Sequence, residues 1–130
     1  EDPRRQRQMC IRDSSKYSDK KIKKDDISNI DLGLKKNKDI LSFVASNFIS
    51  AYVVGFAAET DNVDTNAKKK LEAKNLDMIV SNDVSDKSIG FDVDDNEVNV
   101  YTKNNKFFLK KDKKIRIARE VLKIVASNIN

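Results

Sequence analysis

Histidine is absent from this 130-residue chain, and cysteine occurs once, at Cys10. A Ser-His-Asp triad and a histidine-containing zinc site are therefore excluded, as are a multi-cysteine metal site and an intramolecular disulfide. Acid–base or charge-stabilising work must fall to Lys, Arg, Asp, Glu or Tyr. Glycine is scarce, with only Gly33, Gly55 and Gly90. A nucleotide-binding α/β domain ordinarily opens with a strand and a Gly-rich turn, and neither is present. No apolar run approaches the ~20 residues that a membrane helix needs, and the amino end has no apolar core segment of a signal peptide. The expectation is a cytoplasmic protein with no membrane partner.

What is present points to a folded domain. Hydrophobic residues make up 38% of the chain and charged residues 36%. The apolar residues fall in periodic clusters, which suits one domain around one core. The net charge of +5 is mostly lysine, interleaved with 21 acidic residues. A mixed-sign surface of this kind is ordinarily a solvated surface. A small anionic ligand such as a nucleotide is the next reading. A lysine-rich nucleic-acid-binding module is the alternative. Arginine divides the chain: Arg4, Arg5, Arg7 and Arg12 crowd its start, and the next are Arg116 and Arg119. Residues 1–14 (EDPRRQRQMCIRDS) show no helix or strand period and read as a non-native tail, a translated adapter. Residues 15–130 then form the domain.

The periodicity predicts an α/β order. Ile30, Leu32 and Leu34 alternate, as in a short strand. Leu41, Val44, Ala45 and Phe48 share one face of a helix over residues 39–48. Residues 52–57 (YVVGFA) read as a buried strand, followed by a polar turn over 59–62. A helix over 63–74 places Val63, Ala67 and Leu71 toward the core, with Asp61 or Asp64 as its cap. Lys70 and Lys74 flank that stripe, so their heads can reach one end of the sheet. Residues 76–80 (LDMIV) form a second buried strand, completing a parallel βαβ unit. Residues 82–95 read as a loop, and 97–102 with 106–109 as a hairpin turning at Asn104-Asn105. The last helix, from Asp112 to Ile129, presents Ile115, Ala118, Leu122, Val125 and Ile129 on one face. The fold class is α/β: a Rossmann-like three-layer parallel sheet, of which this is the C-terminal half only, with an antiparallel hairpin.

Several short motifs recur in a fixed order: GFAAET at 55–60, KNLD at 74–77, ND at 82–83, GF at 90–91 and DDNEV at 94–98. KIKK at 21–24 and KNKDI at 36–40 precede them. Together they resemble the carboxy-terminal region of bacterial phosphopantothenate–cysteine ligases, over roughly residues 15–130. That domain is often fused behind a flavin-dependent decarboxylase. The resemblance implies a two-step reaction. CTP activates the carboxylate of 4′-phosphopantothenate as an acyl-cytidylate, and the cysteine amine then displaces CMP. Mg2+ accompanies the triphosphate. FMN belongs only to the upstream decarboxylase domain, which is not in this sequence.

The same resemblance assigns residues. Lys21 lies on a flexible lid and serves turnover of the acyl intermediate. Lys21, Lys38, Asp39, Ile40, Leu41, Phe56, Lys70 and Lys74 bind CTP, with Phe56 against the cytosine. The family commonly has proline where this chain has Lys38, which suits a first helical turn and leaves the backbone role intact. Without the resemblance, the lysines read as solvated charges and Phe56 as a core residue. Glu59, Asn82 and Asp83 fit either loop ordering or metal binding, and no metal ligand is assigned. DDNE at 94–97 is better explained as the turn into the hairpin than as a cation site. The family also implies a homodimer, with the hairpin over 97–109 as a contact, and small-molecule substrates and no nucleic acid as partners.

Overall fold

The structure, a computed structural model, describes residues 12–14, 33–87 and 92–129. Cys10, the KIKK segment with Lys21, and the GF motif at 90–91 lie outside the described residues. The chain divides into two units, Glu1–Asp39 and Ile40–Asn130.

In the first unit, β1 (Arg12–Ser14) pairs antiparallel with β2 (Leu34–Lys36), with Ser14 opposite Leu34. The strand predicted around Ile30, Leu32 and Leu34 therefore enters a separate antiparallel pair, not the parallel sheet. Ile30 and Leu32 lie outside the described residues. Arg12–Ser14 belong to the arginine-rich stretch, where no side-chain period announces a strand. Main-chain hydrogen bonds do not require one.

The second unit runs α1 (Ile40–Asn47), β3 (Val54–Glu59), α2 (Val63–Ala73), β4 (Met78–Asp83), β5 (Asp95–Thr102), β6 (Lys106–Lys113) and α3 (Lys114–Ile129). The four strands lie in chain order. β3 and β4 are parallel and joined through α2, while β4–β5 and β5–β6 are antiparallel. This is the expected βαβ unit with a hairpin beside it. The strands run further than the apolar residues do. Glu59 ends β3 instead of opening a turn, Asn82 and Asp83 end β4 instead of opening a loop, and Asp95, Asn96 and Glu97 lie within β5. Hydrogen bonding to a neighbouring strand carries polar residues along once the apolar middle is docked.

Alternation of side chains gives the sheet two distinct faces. On one face, Ala57, Ile79 and Tyr101 pack with Ala45 of α1 and Ala67 and Leu71 of α2. On the other, Met78, Val80, Val98 and Val100 pack with Ile117 and Val121 of α3. Gly55 faces the α2 side. A Cβ there would lie 2.7 Å from Leu76 Cδ1 and 3.1 Å from Leu41 Cδ2. Glycine is needed for this close approach of two leucines.

Two helix expectations are corrected. The N-cap of α2 is Asn62, with a left-handed φ of 45° and no side-chain cap bond. Neither Asp61 nor Asp64 caps it, because Asp64 already lies in the first turn and its carboxylate is drawn to Tyr101 and Lys106. In α3, the buried stripe is Ile117 and Val121, with Ile124 and Val125 packed beside it. Ile115, Leu122 and Ile129 are exposed. The helix carries two apolar stripes. β6 ends at Lys113 and α3 begins at Lys114, so the strand's exit fixes the helix phase. Lys114 N donates to Asp94 O at 2.9 Å and pins that exit.

Candidate functional site

The C-terminal ends of β3 and β4 coincide, since Glu59 is the register partner of Asp83. α2 starts just beyond this edge. Open α/β sheets ordinarily take their ligands at such an edge.

On the α2 face, the edge is organised around Glu59. Its carboxylate accepts from Lys70 Nζ at 2.5 Å and from Asn66 Nδ2 at 3.4 Å. Lys70 thus reaches the strand end, as its place beside the buried stripe predicts. Lys74 is the half-buried C-cap of α2, about 6 Å further along the helix axis by the rise per residue. It lies away from the Glu59 end.

On the α3 face, Phe56 projects from the middle of β3 and is 75% exposed. It is not a core residue. It lines a mostly apolar groove of ≈ 320 Å³ with Val80, Val98, Ile117 and Leu122. Asn82, Asn96 and Lys114 supply polar groups to the same groove. Asn96 and Lys114 escape the sequence reading. Counting two positions along each strand from Val80 and Val98 would have put Asn82 and Asn96 on the Phe56 face.

Phe56 and Glu59, the partner of Lys70, therefore project from opposite faces of β3, Phe56 from its middle and Glu59 from its end. Ile40 and Leu41 open α1 on the α2 side. Leu41 packs against the core behind Gly55, and Ile40 is exposed. Lys38 and Asp39 are exposed residues that end the first unit.

The carboxylates at the edge are already engaged. Glu59 is paired with Lys70, and Asp83 accepts from Ser85 N at 2.9 Å and Ser85 Oγ at 2.5 Å. Among the described residues, no group of three acidic or other metal-ligating side chains converges. This donor set does not form a protein-built cage for Mg2+.

A second polar cluster ties α2 to the hairpin. Asp64 accepts from the Tyr101 hydroxyl and from Lys106 Nζ, the latter at 2.8 Å. The Lys106 ammonium also lies 5.4 Å from the Tyr101 ring centroid. The hydrogen bond from Lys106, then that from Tyr101, holds the Asp64 carboxyl below the usual carboxylate range. Burial, then the Asp64 carboxylate, pushes the Tyr101 hydroxyl up.

The fold and this edge define an α/β domain with the layout of a ligand-binding open sheet. A family model described as "DNA/pantothenate metabolism flavoprotein C-terminal domain" matches residues 13–129. The chain belongs to that family. It is 41% identical over 109 residues to the Coenzyme A biosynthesis bifunctional protein CoaBC of Haemophilus influenzae. It is 40% identical over 110 residues to the protein of the same name from Bacillus subtilis. These matches cover 83% and 84% of this chain but only 27% of each relative. The chain thus spans about a quarter of the relatives it matches. Among solved structures, the C-terminal domain of a CoaBC protein matches with a TM-score of 0.61 and 36% identity, over 72% of this chain and 43% of that one. The DNA/pantothenate metabolism flavoprotein of Streptococcus pneumoniae shares the fold, with a TM-score of 0.61, 24% identity, and 76% of this chain and 44% of that one covered.

Proposed function

We propose that this chain is the C-terminal part of a CTP-dependent phosphopantothenate–cysteine ligase acting in coenzyme A biosynthesis. The relatives' names support the pathway, and the motif order supports the reaction. We assign residues 15–130 to that C-terminal part, the family model's match beginning two residues earlier, at Asp13. In the first step a carboxylate oxygen of 4′-phosphopantothenate attacks the α-phosphorus of CTP, and pyrophosphate leaves. In the second, the cysteine amine attacks the acyl carbon, the bond to CMP breaks, and an amide forms. Negative charge builds on the phosphates in the first step, so positioned cations are the protein's main contribution.

The observation that carries the reading is the arrangement along β3. It presents an open apolar groove at Phe56 on one face and an ammonium, Lys70, at its rim on the other. In this reading Phe56 meets the cytosine, and Lys70, with Lys74 behind it, meets the phosphates. Lys38, Asp39, Ile40 and Leu41 contribute backbone groups at the start of α1. Lys21, outside the described residues, serves turnover of the acyl intermediate as the family resemblance implies. Mg2+ would neutralise charge on the triphosphate, and the described residues offer it no cage of their own. The functional unit is a cytoplasmic homodimer, with the β5–β6 hairpin as a contact.

The test uses the chain extended upstream to the length of its relatives. Pyrophosphate release is measured with phosphopantothenate and either CTP or ATP. Release with CTP and far less with ATP is expected, and no CTP-dependent release overturns the reading. The chain by itself should bind CTP weakly or not at all, and micromolar binding by calorimetry would contradict that.

A further inference from the structure

Glu59 is the last residue of β3, and its side chain is held from several directions. It is 11% exposed, whereas that of Lys70 is 43% exposed. Its carboxylate takes hydrogen bonds from Lys70 Nζ and Asn66 Nδ2. Its carbonyl accepts from Val84 N at 2.8 Å, so the main chain is fixed as well. A fixed acceptor thus reaches out to a flexible lysine. Lysine loses rotamer freedom when it binds a ligand, and a partner that holds it beforehand reduces that cost. An ammonium has three N–H donors, and the Glu59 carboxylate accepts one hydrogen bond from it. An ammonium can therefore hold Glu59 and still donate to a second acceptor.

Resting on the reading of Lys70 as a phosphate ligand, we propose that Glu59 is a positioning residue. It sets the Lys70 ammonium at the strand edge for the nucleotide's phosphates, and it acts on the reaction only through that lysine. A metal-ligand role fits the structure less well, because the carboxylate is already ion-paired and has no convergent acidic partners among the described residues.

The test is a double-mutant cycle in the full-length protein, reading KM for CTP and kcat separately. Glu59→Ala is expected to raise KM for CTP about tenfold, with a smaller change in kcat. Glu59→Gln keeps an acceptor oxygen and should recover most of that loss. In a Lys70→Ala background, Glu59→Ala should add nothing further. If the two changes multiply, Glu59 acts independently of Lys70 and the inference falls. It also falls if Glu59→Ala lowers the melting temperature but leaves KM unmoved. If Lys70→Ala leaves KM unchanged, the ligand reading fails and this inference with it. A Lys70 effect without a Glu59 effect overturns the inference alone. Should Glu59→Ala not fold, Glu59→Asp, which withdraws the carboxylate by one methylene, replaces it with the same outcomes.

Discussion

Ala67 and Leu76, on the α2 face of the sheet, are fully buried, whereas Phe56 and Leu122, on the α3 face, are 75% and 65% exposed. The first face is closed by α1 and α2 over Ala57, Ile79 and Tyr101. The second is covered by α3 over β5 and part of β4, and stays open where Phe56 meets the groove. The difference separates two tasks. Both faces bury a core, but the α2 face is closed up to the strand end, where Glu59 pairs with Lys70. The α3 face leaves apolar surface available next to the strand ends.

The sharpest way to break this comparison is a matched pair of leucines. Leu76→Ala should cost about 2–5 kcal/mol, as a fully buried leucine leaves a cavity behind. Leu122→Ala should change stability by no more than about 0.5 kcal/mol. Denaturant unfolding of both variants checks this, and equal losses would show that the open groove on the α3 face bears load like the closed core. A smaller effect is expected from Gly55→Ala. The added methyl must displace Leu76 or Leu41, which should cost about 1–3 kcal/mol by overpacking. No change in the denaturation midpoint would mean that the α2 face is looser than its buried residues indicate.

The smallest effects concern pH. The Asp64 carboxyl is depressed in the folded state. Its contribution is therefore present above the unfolded value of about 4 and is lost as pH falls through the lower folded value. Because Asp64 is half exposed, solvent screens the effect. Asp64→Asn should flatten the acid limb of the stability curve. Tyr101 is raised instead, so stability should fall once pH passes about 10, where the unfolded tyrosine ionises. Tyr101→Phe should shrink that alkaline limb, to which Tyr52, raised by burial and by Asp77, also contributes. Thermal melts across the pH range report both.

The βαβ unit was legible because each of its elements has one period and one solution. Val63, Ala67 and Leu71 leave α2 a single apolar stripe, and the apolar residues over 76–80 leave β4 little choice. α3 was misread in phase because Ile115–Ala118–Leu122 and Ile117–Val121–Ile124 are both apolar stripes. Only the exit from β6 chooses between them. The site was legible as residues but not as an arrangement. Phe56 and Lys70 are both tied to β3, yet a sheet has two faces. The pairing of Lys70 with Glu59, 11 positions apart in sequence, joins a helix to a strand, and no local pattern announces it. Lys21 lies outside the described residues, so its expected role rests on the family resemblance.

One hydrogen-bonded pair accounts for part of the KNLD motif. The Asp77 carboxylate accepts from Val53 N at 2.8 Å, and Asp77 N donates to Val53 O at 3.1 Å. The two residues stand at the threshold of β3 and β4, 24 positions apart in sequence. An antiparallel hairpin obtains its alignment from its turn, but parallel strands have no turn between them. Here the aspartate takes that part. It shuts the ring of chain containing α2 at the first rung, where the closure entropy of a long loop is met once. The motif thus joins the two parallel strands at their threshold, in the same register that sets Phe56 beside Val80.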